Sequence, residues 1–205
     1  METLGDRVAQ IKKKNKNENF HGDLANSLIQ LAVLKIAKSG SLDFTIRDLA
    51  KTLGVSHTAT YRHFKSKQAL VNAIALQGYL KLLVSFDKVN SNKDNLLENL
   101  GKAYIDFGIQ NPGYYRVMFG MGMDKNPQEM LKEACTKSFY TLLDALGKRT
   151  DQNVKKAMLA WSVVHGWVLL CIDGQLNAPM KDFGISKNEI EFFLQDSISN
   201  LLKNK

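Results

Sequence analysis

His57, Thr58, Tyr61 and Arg62 crowd into one short stretch, with Arg47 ten residues ahead of the first of them. At i, i+1, i+4 and i+5 of a helix they share one side, from which imidazole, hydroxyl, phenol and guanidinium groups reach base edges and phosphates in a DNA major groove. Catalysis finds much less here. Histidines occur at 21, 57, 63 and 165 only, and the chain holds no His-x-x-x-His pair, glycine-rich phosphate loop or Gly-x-Ser-x-Gly elbow. His165 and Cys171, six apart on one expected helix, stand about 240° apart around its axis, too far round to pair as base and nucleophile. Cys135 and Cys171 are 36 positions apart with no Cys-x-x-Cys, so neither a disulfide framework nor a zinc site is indicated. The expectation is no enzyme, no cofactor and no metal.

Two helices must hold these groups. Ile46, Leu49, Ala50 and Leu53 fall at i, i+3, i+4 and i+7, the stripe of a short amphipathic helix. Gly54 ends it, being the residue best able to turn left-handed past a helix end. Ser56 caps the next helix through its hydroxyl. There Thr60 and Phe64 share a face that points back at the first helix, leaving His57, Thr58, Tyr61 and Arg62 outside. The segment over about 45–64 is a helix-turn-helix.

That segment resembles the DNA-binding domain of the tetracycline-repressor (TetR) family. The resemblance rests on Thr45, Ile46, Leu49, Ala50, Gly54, Val55, Ser56, Tyr61, His63, Phe64, Lys67 and Leu70, and most on the run GVSHTATYRHFKSKQAL. It covers residues 20 to about 80. FHGDL at 20–24 resembles the lead-in to the first helix in one branch of the family, and AWSVVHGWVLL at 160–170 resembles a Trp-His-Gly stretch in that branch's regulatory domain. Thr60 departs from the pattern, where the family more often carries Leu or, in this branch, Pro. The resemblance implies a double-stranded DNA operator as partner, with Arg47, His57, Thr58, Tyr61 and Arg62 at base edges or nearby backbone and Thr45, Ser56, His63 and Lys67 on phosphates.

Charge follows the same division. The chain of 205 residues carries +8. Residues 1–80 hold 12 Lys or Arg against 6 Asp or Glu, and residues 81–205 hold 16 against 14. The excess of +6 therefore sits at the DNA-reading end, against +2 beyond it. The N-terminus reads KKKNKNEN with no apolar signal region. The longest apolar-rich run, AMLAWSVVHGWVLLCI, has 16 residues and is broken by Ser, His and Gly, where a spanning helix needs about 20. A cytoplasmic protein with no membrane partner is expected.

The pattern is helical throughout, giving an all-α chain: a basic extension over 1–19 with room for a turn or two of helix, a three-helix DNA-binding domain over 20–66, and a helical regulatory and dimerisation domain over 67–205. Asp23 is placed to cap the first domain helix, whose stripes Leu24, Leu28, Leu31, Ala32 and Ala25, Ile29, Val33, Ile36 demand burial on two sides. A helix capped by Ser66 connects the domains. Further helices are expected over about 95–110, 112–119, 127–146 (opened by Asn126, Pro127 and Glu129), 152–174 and 186–203, the last with a Ser186/Glu189 capping box. DGQLNAPMKDFG reads as a loop.

The second domain is dense in aromatic and sulfur side chains. Tyr104, Phe107, Met118, Phe139, Met158, Trp161 and His165 are the candidate lining of a cavity for a small apolar or amphipathic effector, although filling the core is the commoner fate of each. Trp167, Leu170, Cys171, Phe193, Ile198 and Leu201 are candidates for a homodimer interface on the last two long helices. Gly166 weakens its helix by up to about 1 kcal/mol, which close approach of a packed helix or a ligand would explain. The function expected is a repressor released from DNA by a small molecule. The alternatives are an orphan or architectural DNA-binding protein without a pocket, and an all-helical enzyme or carrier.

Overall fold

The computed structural model of the protein describes residues 4–17, 24–90, 95–120, 122, 124 and 127–203. Among these the chain forms α1 (Leu4–Asn17), α2 (Leu24–Ser39), α3 (Ile46–Leu53), α4 (His57–His63), α5 (Lys67–Asn90), α6 (Leu96–Gln110), α7 (Pro112–Phe119), α8 (Glu129–Ala145), α9 (Asp151–Ile172), α10 (Asn177–Phe183) and α11 (Lys187–Lys203), with no strand. The all-α architecture is as the periodicity requires.

Two compact units form, and they do not follow the linear order. One comprises Met1–Gly78 with Pro112–Leu131, the other Tyr79–Asn111 with Lys132–Lys205. The sequence suggested boundaries after 19 and after 66. The two units divide within α5, and α7 belongs to the first.

The two-sided apolarity of α2 accounts for α7. Leu24, Leu28, Leu31 and Ala32 are buried on one stripe and Ile29 and Ile36 on the other, and α1, α3, α4 and α7 all pack on this helix. Helix α1, longer than the turn or two expected, contributes buried Ile11. Helix α7 comes closest: a β-carbon on Gly113 would overlap the Val33 carbonyl oxygen, so glycine alone lets it lie on the α2 backbone. Met118, on the same short helix, packs on Gly78, where a β-carbon would stand 2.8 Å from Met118 Cγ. Tyr114 donates its hydroxyl to Gln77 Oε1 at 3.1 Å.

In α3, Ile46, Leu49, Ala50 and Leu53 are all buried, and Gly54 takes φ 72° to end the helix. Ser66 Oγ accepts from the Ala69 amide at 3.1 Å, capping α5 as expected. That helix runs 24 residues without a break, burying Leu70 and Ile74 in the first unit and Leu82, Leu83 and Phe86 in the second.

In the second unit α6, α9 and α11 pack together. Thr150 caps α9 through the Asn153 amide at 3.3 Å, and the Ser186/Glu189 box forms, with Ser186 N donating to Glu189 Oε2 at 2.8 Å and Glu189 N to Ser186 Oγ at 3.2 Å. Two expectations differ. Helix α8 starts at Glu129, so Pro127 precedes it rather than opening it. The loop expected over 173–184 contains α10, ended by Gly184 at φ 64°. Its Pro179 lies in the first turn, where a missing N–H costs no hydrogen bond. Asp23 and Asn126 lie outside the described residues.

Two glycine substitutions separate close packing from mere permissiveness. Gly113→Ala is expected to cost about 1–3 kcal/mol, because backbone must move. Gly101→Ala, with nothing within 4 Å of its added carbon, is expected to stabilise α6 by about 0.5–1 kcal/mol. Urea unfolding of the two variants checks both signs.

Candidate functional site

Helix α4 is seven residues long and owes its orientation to two inward side chains. Thr60 is fully buried, and its hydroxyl donates to the His57 carbonyl at 2.7 Å, so the polar group that replaces an expected apolar one is satisfied within its own turn. Phe64, just past the helix, is also buried. Ser56 Oγ accepts from the Ala59 amide at 3.1 Å and holds the first turn. With these anchors inside, His57, Thr58, Tyr61 and Arg62 stand exposed on the outer side. The His57 and Tyr61 rings lean together, centroids 4.5 Å apart. Arg47 is exposed on α3, the helix on which α4 packs.

Among the residues expected at phosphates, Ser56 and His63 are exposed, and the Ser56 hydroxyl, accepting in the cap, keeps its own hydrogen to donate. Thr45 has another task. Its hydroxyl donates to Asp48 Oδ2 at 2.7 Å and accepts the Asp48 amide at 3.1 Å, while the Thr45 amide donates to the same carboxylate at 2.9 Å. These bonds hold the Asp48 carboxyl below its usual pKa. With its hydroxyl hydrogen committed and a carboxylate beside it, Thr45 serves as an N-cap rather than a phosphate donor in this arrangement. Lys67 donates to the Leu42 carbonyl and lies 5.0 Å over the Phe44 ring. An ammonium has three hydrogens, so two remain for an anion.

The residues expected to line a cavity separate into groups. Tyr104, Phe139, Trp161 and His165 meet in the second unit. Trp161 Nε1 donates to the Tyr104 hydroxyl at 2.9 Å, Tyr104 lies 3.1 Å from His165 Nδ1, and Phe139 meets Trp161 edge-on at 6.0 Å. The phenol oxygen accepts from Trp161 and shares a second hydrogen bond with His165 Nδ1, which either partner donates according to the imidazole tautomer. Burial pushes the His165 pKa down. Tyr79 is buried in the same unit, and desolvation first, then a hydrogen bond with Cys135, raises its pKa. Phe107 is buried on α6 and borders a different opening, described below. Met118 and Met158 are corrections. Met118 is packed on Gly78 in the DNA-reading unit, and Met158 is 53% exposed on α9. Spacing shows which residues share a helix face, and the neighbour of that face is a tertiary matter.

The expected interface divides likewise. Trp167 is only 7% exposed, its indole packed inside the second unit, and is withdrawn from the surface set. Leu170 and Phe193 are exposed, Phe193 at 71% and its neighbour Phe192 at 75%. Cys171 and Ile198 are half-buried, and the Leu201 side chain lies outside those described. Sequence inspection missed Leu159 and Val163, exposed at i−11 and i−7 from Leu170; that spacing on α9 was the available signal.

Residues 28–74 match the family described as bacterial regulatory proteins, tetR family, and residues 97–184 match the one described as tetracyclin repressor-like, C-terminal domain. Among curated relatives, an uncharacterized HTH-type transcriptional regulator of Bacillus subtilis, YobS, is 28% identical over 72% of this chain and 78% of its own. The nucleoid occlusion factor SlmA of Salmonella paratyphi B is 30% identical over 54% of each chain. The solved structure of PfmR from Thermus thermophilus, a TetR family transcriptional regulator, aligns over 86% of this chain and 97% of its own with a TM-score of 0.65 at 16% identity, a likeness of fold.

The depressed His165 pKa fixes the sign of a pH effect. The unfolded chain binds a proton at about pH 6.5, where the folded one resists it, so stability falls as pH drops through that region toward the lower folded value. His165→Gln is expected to flatten that part of the profile, which urea midpoints at about pH 7.5 and about pH 5.5 compare directly.

Proposed function

The chain belongs to the TetR family of DNA-binding transcriptional regulators, and from that premise we propose that it is a homodimeric cytoplasmic repressor whose operator affinity a small amphipathic molecule lowers. The observation that carries the reading is the exposed row His57, Thr58, Tyr61 and Arg62 on a helix anchored from behind by Thr60 and Phe64. Phosphate contacts from Ser56, His63 and Lys67 set register, and the row with Arg47 reads bases. To release DNA, the effector must prefer the conformation with lower operator affinity, since equal affinity for both shifts nothing.

What α9 leaves uncovered supports the dimer. This helix is apolar enough in composition to cross a membrane, yet only 28% of its most apolar stretch is buried within the protomer. Leu159, Val163, Gly166 and Leu170 recur along one exposed side, and nothing lies within 4 Å of a β-carbon added at Gly166. Packing inside the protomer therefore does not explain this glycine, and close approach by a second copy does. With Phe192 and Phe193 of α11, the surface suits an isologous two-fold contact. Such dimers set their reading helices one DNA turn, about 34–36 Å, or a multiple apart. The name nucleoid occlusion factor, carried by several Salmonella relatives, favours a second reading: an architectural DNA-binding role indifferent to small molecules. Binding at many genomic sites, with no compound lowering affinity, would select it.

On a duplex selected from random sequence, Arg47→Ala and Arg62→Ala are each expected to relax preference at one base position by about 1–3 kcal/mol. Lys67→Ala should weaken all sequences alike and reduce the salt slope by about 1. Anisotropy titrations over a salt series decide, and a Lys67→Ala protein with altered base preference would contradict the assignment. Val163→Asp with Leu170→Asp changes two exposed positions. Sedimentation should then show a monomer in place of a dimer, with selective DNA binding lost alongside; an unchanged dimer sinks the α9 interface.

A further inference from the structure

In the second unit, α5 and α6 flank a cavity of about 410 Å3 on the side of α6 that carries Phe107, away from the hydrogen bonds of Tyr104. That volume lies within the range of small-molecule sites, about 300–1,000 Å3. Its walls are one face of each helix: Ser85, Lys88 and Val89 from α5, and Asn99, Lys102, Ala103, Asp106 and Gln110 at i, i+3, i+4, i+7 and i+11 of α6. Val89, Ala103 and buried Phe107 supply the apolar part.

Three charged groups border this apolar surface without partners among the described residues. Lys88, Lys102 and Asp106 form no ion pair or hydrogen bond among the described residues, although Lys102 and Asp106 stand at i and i+4, where pairing on a helix is easiest. Two unpaired ammonium groups against one carboxylate leave the rim positive. The Asn99 and Asn111 side chains add amide groups to the same wall. A neutral apolar ligand would leave this charge idle, and a cation would meet two repulsions against one attraction.

We propose that the α5–α6 groove binds a small amphipathic carboxylate, its apolar body on Phe107, Ala103 and Val89 and its head between Lys88 and Lys102. Asp106 opposes the anion and limits its affinity. The assignment rests on the reading of this unit as effector-receiving, and it names both the site and the chemical class. It also moves the site from the Tyr104–Trp161–His165 cluster to the opposite face of α6.

The test uses the full-length protein and three probes of matched shape: phenylacetate, phenylacetamide and phenethylamine. Calorimetry or ligand-observed NMR is expected to show phenylacetate bound roughly tenfold more tightly than the amide, as for a charge-assisted contact. Lys88→Gln with Lys102→Gln should erase that preference, whereas Asp106→Asn should strengthen it severalfold. Opposite signs at neighbouring positions are not produced by a general loss of folding, and thermal melts of each variant confirm integrity. Equal binding of the three probes, no binding of any, or an anion preference that survives loss of both lysines overturns the site. Operator anisotropy forms a separate arm. Lysine-dependent binding that leaves operator affinity unchanged supports the anion site and removes its regulatory role. A compound that releases wild type and the double-lysine variant equally places the effector elsewhere and leaves regulated release standing.

Discussion

The contact of Gly113 with the Val33 carbonyl is the constraint on which the DNA-reading unit rests. Helix α2 is apolar along two stripes and needs neighbours on both. α3 and α4 alone are too short to wrap it; α7 completes the cover, and it reaches the α2 backbone only because residue 113 has no β-carbon. Each aliphatic side chain buried along α2 contributes about 1.5–3 kcal/mol, so the stability of this unit depends on a segment drawn from more than seventy residues downstream. The exposed row on α4 inherits that stability. A reading helix of seven residues has little cohesion of its own, and it is held by Thr60 and Phe64 against a core that α7 helps to close.

The second unit uses polar groups in two distinct ways. The Trp161–Tyr104–His165 chain is hydrogen-bonded within the unit, and such a network rigidifies what surrounds it. Burial in the same place lowers the His165 pKa and makes the unit sensitive to acid. On the other face of α6, Lys88, Lys102 and Asp106 have no hydrogen-bond or ion-pair partner among the described residues. Satisfied polar groups define structure, while unsatisfied ones at an apolar groove are free to define a ligand. The two faces also differ in charge, which separates the compounds each would accept.

Local hydrogen bonding was the most legible layer of this protein. The Ser56, Ser66 and Ser186/Glu189 caps and the left-handed Gly54 were visible as residue types at fixed offsets, because a cap involves partners within three residues. The same local chemistry concealed two functions. Thr45 looked like a phosphate donor by position, and the nearby Asp48 turned it into a capping box. DGQLNAPMKDFG looked like a loop from its Gly, Pro, Asp and Asn content, yet part of it winds into α10, whose first turn tolerates the proline. Buried Thr60 broke the apolar pattern without harm, since a hydroxyl can bond the preceding turn.

By itself, the sequence determined the helical character, the helix-turn-helix and the outward set His57, Thr58, Tyr61 and Arg62, because periodicity and capping are properties of neighbours along the chain. It also showed that α2 must be covered on two sides. Only the tertiary structure decided what covers it. Partition of the chain into 1–78 with 112–131 and 79–111 with 132–205 depends on contacts between distant segments, and so do the inward turn of Trp167, the exposure of Met158 and the placement of Met118 on Gly78. An apolar side chain has the same spacing whether it meets a core, a partner or water. Its fate is set by which surface arrives opposite, and that surface comes from elsewhere in the fold.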